Sequence, residues 1–364
     1  REHVNALCGS AASENAQRAC LLQHQSNLGA ACLNALKPAG ARPAQNERSV
    51  HGFSRAQGGA PGPDGPAILP AAGSAAIPTV APAQEAGGSY KRVVVLTDLH
   101  VEPRVPAAQS KVIKDISSWD DVALVAVTGD VCEKYGSAAE LARAKQLLSK
   151  LGRSYCAVTG NHDYIYRDKP DKDGDKVKGS ETERAAKLKA FQEALPPGRL
   201  YYIRQLGRYL LVFLSVDDLD SKHLTEISEA QLNWLTGTLQ KNKAAPTIIF
   251  FHSPLKGTLT SGKNANTPGF VAQPEDKIRN ILANNRQVVL WVSGHTHTSP
   301  TSPDFSSRAN YYGGTAATNI HNSEVGGGHN WTNSLFLYKN KIVVKTYDHK
   351  AGDWLKAQRV FPVP

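Results

Sequence analysis

The stretch "VVLWVSGHTHTSP", residues 288–300, is decisive for the fold, because an apolar run ends at a glycine and two histidines follow it, one residue apart. The five apolar residues indicate a buried β-strand. In extended backbone, side chains two positions apart point to the same side. We therefore expect His295 and His297 to face a common site beyond the carboxyl end of the strand. Imidazoles in that position are potential metal ligands.

Similar runs recur along the chain after residue 90, and most are rich in β-branched residues. They are apolar at both alternating positions, which predicts strands covered on both faces, and helical patterns over 137–150, 181–194 and 228–241 lie between them. The pattern predicts an α/β layered domain over residues 90–364. The runs are RVVVLTD (92–98), DVALVAVTGD (121–130), SYCAVTGNHD (154–163), RYLLVFLSVD (208–217), APTIIFFH (245–252) and QVVLWVSGHTH (287–297).

Nearly every predicted strand ends in Asp, Asn or His. In α/β folds, ligands gather outside the carboxyl ends of the central strands. Carboxylate, amide and imidazole groups together suit zinc, manganese or iron, and seven such residues are too many for one ion. With one carboxylate shared, they would fill two sites about 4 Å apart, an arrangement that serves displacement at phosphorus. The seven are Asp98, His100, Asp130, Asn161, His252, His295 and His297.

The segments TDLH, TGD, TGNHD, FFHSP and SGHTH resemble, in this order, the motifs of the calcineurin-like metallophosphoesterases. Those motifs are D-x-H, GD, GNH followed by D or E, a lone H, and G-H-x-H, and the resemblance covers residues 98–297. It implies a two-sheet β-sandwich flanked by helices. A hairpin predicted over 333–349, turning at Lys339 to Lys341, is expected to complete the second sheet.

The resemblance also implies how the seven residues divide between two divalent or trivalent ions, which would be manganese, iron or zinc. A hydroxide between the ions would attack phosphorus in line. Asp98, His100, Asp130 and His297 would hold one ion, and Asp130, Asn161, His252 and His295 the other, with Asp130 bridging.

Two further residues of the GNHD segment are expected to serve the reaction without binding metal. His162 would donate a proton to the leaving oxygen or stabilise the pentacovalent phosphorane. Asp163 would fix the loop or the imidazole, and the alternative is a carboxylate that only hydrogen-bonds backbone amides. Glu133 stands three residues after Asp130, where purple acid phosphatases require a Tyr ligand. We therefore expect no charge-transfer colour.

The segment DKDGDKVKGSETE (171–183) begins like a calcium-binding loop, but Lys176 stands at the sixth position, which requires glycine. The closing glutamate is displaced to Glu181 or Glu183, so we interpret the segment as a solvated charged insertion beside the active site. Other residues on nearby predicted loops could touch the substrate or brace the fold. They are Tyr164, Tyr166, Lys256 and His321, the last within TNIHN (318–322).

Residues 1–40 show helical alternation and carry Cys8, Cys20 and Cys32, so we predict a cysteine-rich helical hairpin. Its pattern weakly resembles a cysteine-rich repeat of Golgi-type glycoproteins and some bacterial exported proteins. It is either a disulfide-stapled interaction module, with one cysteine free for a partner chain, or a helical leader with incidental thiols. Residues 41–89, rich in Ala, Pro and Gly, predict a flexible linker.

Composition narrows the possible partners and location. The formal charge is +10, but the basic residues are scattered, so no specific nucleic-acid binding is expected. No stretch approaches the roughly 18 apolar residues of a membrane span. The chain begins at Arg1 and contains no Met, so we expect a processed bacterial protein, secreted or periplasmic, with its signal peptide removed. The other explanation is that modified methionines are missing from the sequence.

These observations predict a two-metal hydrolase of phosphate mono- or diesters, acting on a small-molecule or lipid-linked substrate. A cyclic nucleotide phosphodiesterase or a nucleotide pyrophosphohydrolase fits the same motifs. A non-enzymatic alternative is a binding scaffold at the cell envelope. The intact His162 argues against the scaffold, because a protein that kept metal only for stability could lose this residue.

Overall fold

The computed structural model describes residues 89–262, 264–326 and 330–363. The predicted hairpin over 1–40 and the predicted linker, apart from its last residue, lie outside this part of the chain. Among the described residues, no helix has the length and apolar character needed to cross a membrane.

The described chain alternates strands and helices up to its last third, which is mostly strand. In chain order the elements are β1 (Lys91–Leu96), α1 (Ala107–Ser118), β2 (Val122–Thr128), α2 (Ala138–Ser149), β3 (Tyr155–Val158), α3 (Glu181–Ala194), β4 (Tyr202–Leu206), β5 (Tyr209–Phe213), α4 (Glu229–Lys241), β6 (Thr247–Phe250), α5 (Glu275–Ala283), β7 (Val288–Ser293), β8 (Thr318–His321), β9 (Trp331–Leu337), β10 (Lys341–Asp348) and β11 (Asp353–Pro362). Two short 3₁₀ helices, Pro303–Ser306 and Arg308–Asn310, lie between β7 and β8.

The strands form two sheets. The first has the order β11-β10-β9-β1-β2-β3 and the second the order β4-β5-β6-β7-β8. Within them β1, β2 and β3 are parallel, as are β5 to β8. The carboxyl ends of the parallel strands in each sheet therefore lie on one edge, where the loops that bear the predicted ligands begin.

Alternating side chains of the strands build a layered core. Val93 and Val95 of β1 join Phe213 and Phe250 of the second sheet in the apolar layer between the sheets. Val94 and Leu96 point the other way, into a layer that the first sheet shares with α1, α2 and α3. A third layer lies between the second sheet and helices α4 and α5. This is the predicted two-sheet sandwich flanked by helices.

The six predicted strands and three predicted helices are confirmed, but the sheet predicted for the C-terminal hairpin is wrong. The hairpin of β9 and β10 does turn near Lys339, yet β9 pairs antiparallel with β1 and so extends the first sheet. Apolar alternation identifies a strand but not the sheet edge it joins. The run TNIHN was also expected to be a loop, whereas Thr318–His321 forms β8, a buried strand too short and polar for its pattern to stand out.

Candidate metal centre

The ligand-bearing loops leave their strands through left-handed turns. The φ angles are 49° at Asp98, 42° at His100, 50° at Asp130, 63° at His295 and 45° at His297. Non-glycine residues adopt this region rarely, and such strain is concentrated at functional sites. The expectation of extended backbone at His295 and His297 is therefore wrong: β7 ends at Ser293, before both of them.

Glycines allow the loops to approach one another closely. A Cβ at Gly160 would collide with the carboxylate of Asp130, and one at Gly294 would collide with the side chains of Thr97 and Asp98. The carboxylates of the site thus press against backbone that only glycine can provide.

Asp98 has one oxygen that is held by the protein and one that is not. Its Oδ2 accepts hydrogen bonds from Thr97 Oγ1 at 2.6 Å and from the amide of His295 at 2.9 Å. Its Oδ1 is buried and, within the described residues, accepts no hydrogen bond. This Oδ1 lies 3.3 Å from Nε2 of His297 and 3.9 Å from Nε2 of His100. A buried anionic oxygen facing two imidazole nitrogens fits a cation ligand.

One oxygen of Asp130 faces two groups of predicted ligands, the first around Asp98 and the second around His252. Its Oδ1 accepts a hydrogen bond from the amide of His162 at 2.8 Å. Its Oδ2 lies 3.3 Å from Nε2 of His252, which belongs to one group, and 3.8 Å from Nε2 of His100, which belongs to the other. The carboxylate therefore stands where a ligand shared by two ions would stand.

The second group of ligands collects around His252. Its Nε2 lies 3.1 Å from Oδ1 of Asn161, so the amide oxygen is turned into the site. The amide nitrogen of Asn161 lies 3.4 Å from the hydroxyl of Tyr166, consistent with this orientation. Potential ligand atoms of Asp130, His252 and His295 all lie within 4.8 Å of one another, as do those of Asp98, His100 and His297. The structure thus brings the seven predicted residues together, although their roles as metal ligands stay predictions.

Each of the four imidazoles predicted as ligands has one ring nitrogen hydrogen-bonded to a group outside the predicted ligand set. Such outer partners fix the ring and its tautomer in metal centres. The outer partner of His297 is Glu324. The sequence did not predict this contact, because nothing around Glu324 marks it as a partner for His297. The bonds are His100 Nδ1 to Cys132 O (3.3 Å), His252 Nδ1 to Thr128 O (3.0 Å), His295 Nε2 to Gly269 O (3.0 Å) and His297 Nδ1 to Glu324 Oε2 (2.9 Å).

The carboxylates and imidazoles of the site shift one another's pKa values. Burial alone would raise the pKa of Asp98, but the charge of His297, its hydrogen bond and the charge of His252 together outweigh burial and lower that pKa. Burial would also raise the pKa of Asp130. The nearby imidazoles, above all His252, together outweigh burial and hold that pKa well below its usual range. Burial would lower the pKa of His252, yet Asp130 raises it to about 9, whereas burial and then His252 lower the pKa of His295 to about 4. Metal binding would release protons here, since ligand imidazoles must be neutral.

His162 lies beside these residues, but both its ring nitrogens are engaged elsewhere. Nδ1 lies 2.8 Å from the carbonyl oxygen of Glu133, and Nε2 lies 3.0 Å from Nζ of Lys176. Burial, the largest influence, lowers the pKa of His162 to about 4, against the opposing charge of Asp130. His100, Asp130 and His162 also offer potential ligand atoms within 4.8 Å of one another, so the non-ligand role of His162 stays a prediction.

Asp163 braces the loop and does not bond the imidazole of His162. Its carboxylate accepts hydrogen bonds from the amides of Asp130 (2.9 Å), Cys132 (2.9 Å) and Gly160 (2.7 Å). Burial and then the charge of Asp130 raise the pKa of Asp163 to about 7. Of the roles considered for this residue, the geometry favours fixing the backbone that carries the ligands.

The other residues singled out in the sequence are occupied by structural contacts. Tyr164 donates to the carbonyl of Asp218, and buried His321 bonds the carbonyl of Thr258. Lys256 pairs with Glu275 at 2.6 Å. Of this group, Tyr166 alone packs against the site, with its ring centre 5.6 Å from that of His162.

The calcium-loop pattern of 171–183 does not form a calcium loop. Asp171 Oδ1 accepts the amides of Asp173 and Asp175, both at 2.9 Å, so it closes a turn. Glu183 is the reciprocal partner of Ser180 at the start of α3. The turn at Asp171 closes a short hairpin over residues 165–179, whose returning strand bears Lys176.

A cleft of about 570 Å³ opens beside the ligands. His295 and His297 form part of its wall, and uncharged polar residues make up much of the rest. Asp304 holds one side of it by accepting the amides of Thr260 (2.7 Å) and Ser261 (3.1 Å). Other lining residues include Asn264, Phe270, Thr296, Thr298 and Ser299.

Comparison with known proteins identifies the family and the fold. Residues 91–299 match a family model described as calcineurin-like phosphoesterase. A dimetal phosphatase from Danio rerio is similar over 75% of this chain and 99% of its own, at 14% identity and a TM-score of 0.52. A purple acid phosphatase from yellow lupin (Lupinus luteus) seeds is similar over 75% of this chain and 54% of its own, at 14% identity and a TM-score of 0.51. At these identities the two structures show a shared fold. No curated protein sequence matches the chain.

Proposed function

The chain belongs to the calcineurin-like phosphoesterase family, and from this premise we propose that it hydrolyses phosphate mono- or diesters with two metal ions bound by the seven strand-end residues. The observation that carries the proposal is the position of Asp130 Oδ2, 3.3 Å from His252 and 3.8 Å from His100. One oxygen between two groups of ligands is what a two-ion site requires.

The donor set suits manganese, iron or zinc, because it combines carboxylate, amide and imidazole ligands. When bound, the ions would lower the pKa of a water molecule between them and so supply a hydroxide nucleophile at neutral pH. The protein's own part is to hold the ligands rigidly: Asp163 ties together the two loops that carry Asp130 and Asn161. His162 would act at the leaving-group side, by proton donation or by stabilising the phosphorane.

The cleft beside His295 and His297 bears on the substrate. Its hydroxyl and amide side chains suit a polar, uncharged organic group, and the ring of Phe270 offers a surface against which such a group can pack. Cyclic nucleotide phosphodiesterase activity stays the second candidate.

A panel assay tests the proposal. The protein is reconstituted separately with Mn²⁺, Zn²⁺ and iron and offered p-nitrophenyl monoesters and diesters, cyclic nucleotides, nucleotide sugars and nucleotide pyrophosphates. We expect turnover of simple esters and about two ions bound per chain. Bound metal without turnover of any ester would favour the scaffold alternative, and one ion per chain would contradict the two-ion site.

His162→Ala separates catalysis from metal binding. The variant should keep the metal content of the wild-type protein, because His162 is not among the seven proposed ligands. Its turnover should fall about 10²-fold or more, the usual loss when an acid or a charge-stabilising group is removed. Unchanged turnover would contradict the role assigned to His162.

We further propose a secreted or periplasmic location, with a lipid-linked ester among the possible substrates. This rests on the evenly spaced Cys8, Cys20 and Cys32, which suit an oxidising compartment and leave one thiol for a partner chain. Thiol counting under denaturing conditions, with and without reductant, tests the proposal. Three free thiols in that segment of protein isolated without reductant would contradict it.

A further inference from the structure

The insertion between the GNHD loop and α3 is a hairpin held together by backbone hydrogen bonds. The amide of Arg167 donates to the carbonyl of Val177 at 2.9 Å, and the amide of Gly179 donates to the carbonyl of Ile165 at 2.8 Å. Tyr166 and Lys178 form the antiparallel bridge between these bonds. The returning strand of the hairpin is thereby fixed to the residues that directly follow the GNHD loop.

This fixation brings the ammonium of Lys176 to the edge of the candidate metal centre. Lys176 Nζ lies 3.0 Å from His162 Nε2 and 5.2 Å from the ring centre of Tyr166. The His162 ring in turn lies 4.6 Å, centre to centre, from the ring of His100. Lys176 is an exposed residue, so packing of the hydrophobic core does not explain where its side chain points.

The hydrogen bonds of His162 define what the ammonium does there. A carbonyl oxygen only accepts, so the proton of the neutral ring is on Nδ1, which donates to Glu133. Nε2 then carries a lone pair and accepts a hydrogen bond from Lys176. In this arrangement the ammonium is the source of protons on this face of His162, and Nε2 can receive a proton from it and pass it on, as the proposed role of His162 requires.

From this geometry we propose that Lys176 is a further catalytic residue, whose ammonium binds the leaving oxygen of the ester and neutralises the charge that develops on it. The inference rests on the proposed function. In the step, the attacking oxygen forms the new bond to phosphorus, and the leaving oxygen departs with the electron pair of the bond that breaks. It takes a proton that the ammonium supplies through Nε2 of His162, and the resulting amine regains one from water. A second N–H of the ammonium bonds the leaving oxygen directly, and the imidazole holds the ammonium in place before the ester binds.

The test is the dependence of the rate on the leaving group. Wild-type protein, Lys176→Met and Lys176→Arg are compared on p-nitrophenyl, phenyl and alkyl esters, after equal metal content and melting temperature have been verified. A p-nitrophenolate ion leaves readily without help, so Lys176→Met should lose only a few-fold there and roughly 10²-fold on alkyl esters. Lys176→Arg keeps the positive charge and should recover part of the loss. Lys172→Met, a change at an exposed lysine of the same hairpin, should match the wild-type protein on all three esters.

The outcomes distinguish a failure of the role proposed for Lys176 from a failure of the proposed function. An active wild-type protein whose Lys176→Met variant loses the same factor on every ester, or loses nothing, overturns the role of Lys176 and leaves the proposed function standing. A metal-loaded wild-type protein that hydrolyses none of the esters overturns the proposed function, and the inference about Lys176 falls with it.

Discussion

The carboxylate of Glu324 lies 2.9 Å from Nδ1 of His297, while Nε2 of the same ring lies 3.3 Å from Asp98. The imidazole is thus held between two carboxylates. The hydrogen bond to His297 lowers the pKa of Glu324, so this partner is an anion at neutral pH. If His297 binds a metal as proposed, Glu324 would fix which of its nitrogens is turned toward the ion and would make that nitrogen a stronger donor.

Glu324→Gln should therefore weaken metal binding without unfolding the protein. The amide keeps the shape of the side chain but removes its charge, and loss of an outer partner typically costs 10- to 100-fold in metal affinity. Competition with a chromogenic chelator measures the change. Glu102→Gln, at an exposed site, is the matched control and should bind metal as the wild-type protein does. Equal affinities for both variants would show that Glu324 does not support a ligand.

Asp163→Ala should destabilise the domain strongly. The change removes the acceptor of three buried amide hydrogen bonds, and each unsatisfied donor costs about 1–3 kcal/mol. We expect a loss of at least about 3 kcal/mol in the free energy of unfolding, with a smaller loss in Asp163→Asn, which retains one oxygen. Denaturant titration of the metal-free protein gives the value. Asp173→Ala, at an exposed position, should stay within about 0.5 kcal/mol of the wild-type protein. A similarly small change at Asp163 would contradict its bracing role.

Two glycine substitutions should affect different properties: Gly160→Ala should weaken metal binding, and Gly237→Ala should stabilise a helix. Gly160→Ala places a methyl group against the carboxylate and amide of Asp130, so the ligand loop must shift and metal affinity should fall. Gly237 lies in α4 with open space where a Cβ would go, so Gly237→Ala should stabilise the helix by about 0.5–1 kcal/mol. Metal titration and thermal melting of both variants test the pair. Normal metal binding by Gly160→Ala would contradict the close approach of Gly160 to Asp130.

Asp217, which is not among the proposed metal ligands, should make stability depend on pH. It accepts the amide and the hydroxyl of Ser228, both at 2.8 Å, at the start of α4. Burial raises its pKa from 3.8 to about 6. Between these values the folded state binds more protons than the unfolded state, so the free energy of unfolding should fall as pH rises from about 4 to 6.

Asp217→Asn tests this dependence, since it removes the titrating group and keeps the shape. The wild-type protein should lose roughly 2–3 kcal/mol relative to the variant over this pH range, as measured by denaturant titration at several pH values. Parallel curves for the two proteins would mean that Asp217 titrates normally in the fold.

The sequence predicts the ligands better than it predicts their surroundings. Asp98, Asp130 and His252 each lie within three residues of the end of an apolar run, so their common position at the strand ends follows from the fold class. The left-handed turns at His295 and His297 could not be predicted, because the contacts that enforce them come from distant segments. Asp98, for example, lies far away in the chain, yet its carboxylate accepts the amide of His295.

The supporting residues were hidden for a related reason. Glu324 and Lys176 are polar residues in loops, where a charged side chain needs no explanation beyond solvent. Their contacts with His297 and His162 depend on how whole loops return to the site. Residue spacing within one segment does not predict which distant segment a loop will contact. For the same reason, the sequence pattern did not predict that β9 pairs with β1.

The proposed ligands come from both sheets. Asp98, Asp130 and Asn161 follow strands of the first sheet, whereas His252 and His297 follow strands of the second. Ions bound there would cross-link the two halves of the sandwich, so the sheets could not separate without releasing metal. Folding would then be linked to metal supply, with a gain that grows as the logarithm of free metal above the dissociation constant. Where the metal is scarce, the chain would be an easier target for proteases, and its abundance would follow the metal content of its surroundings.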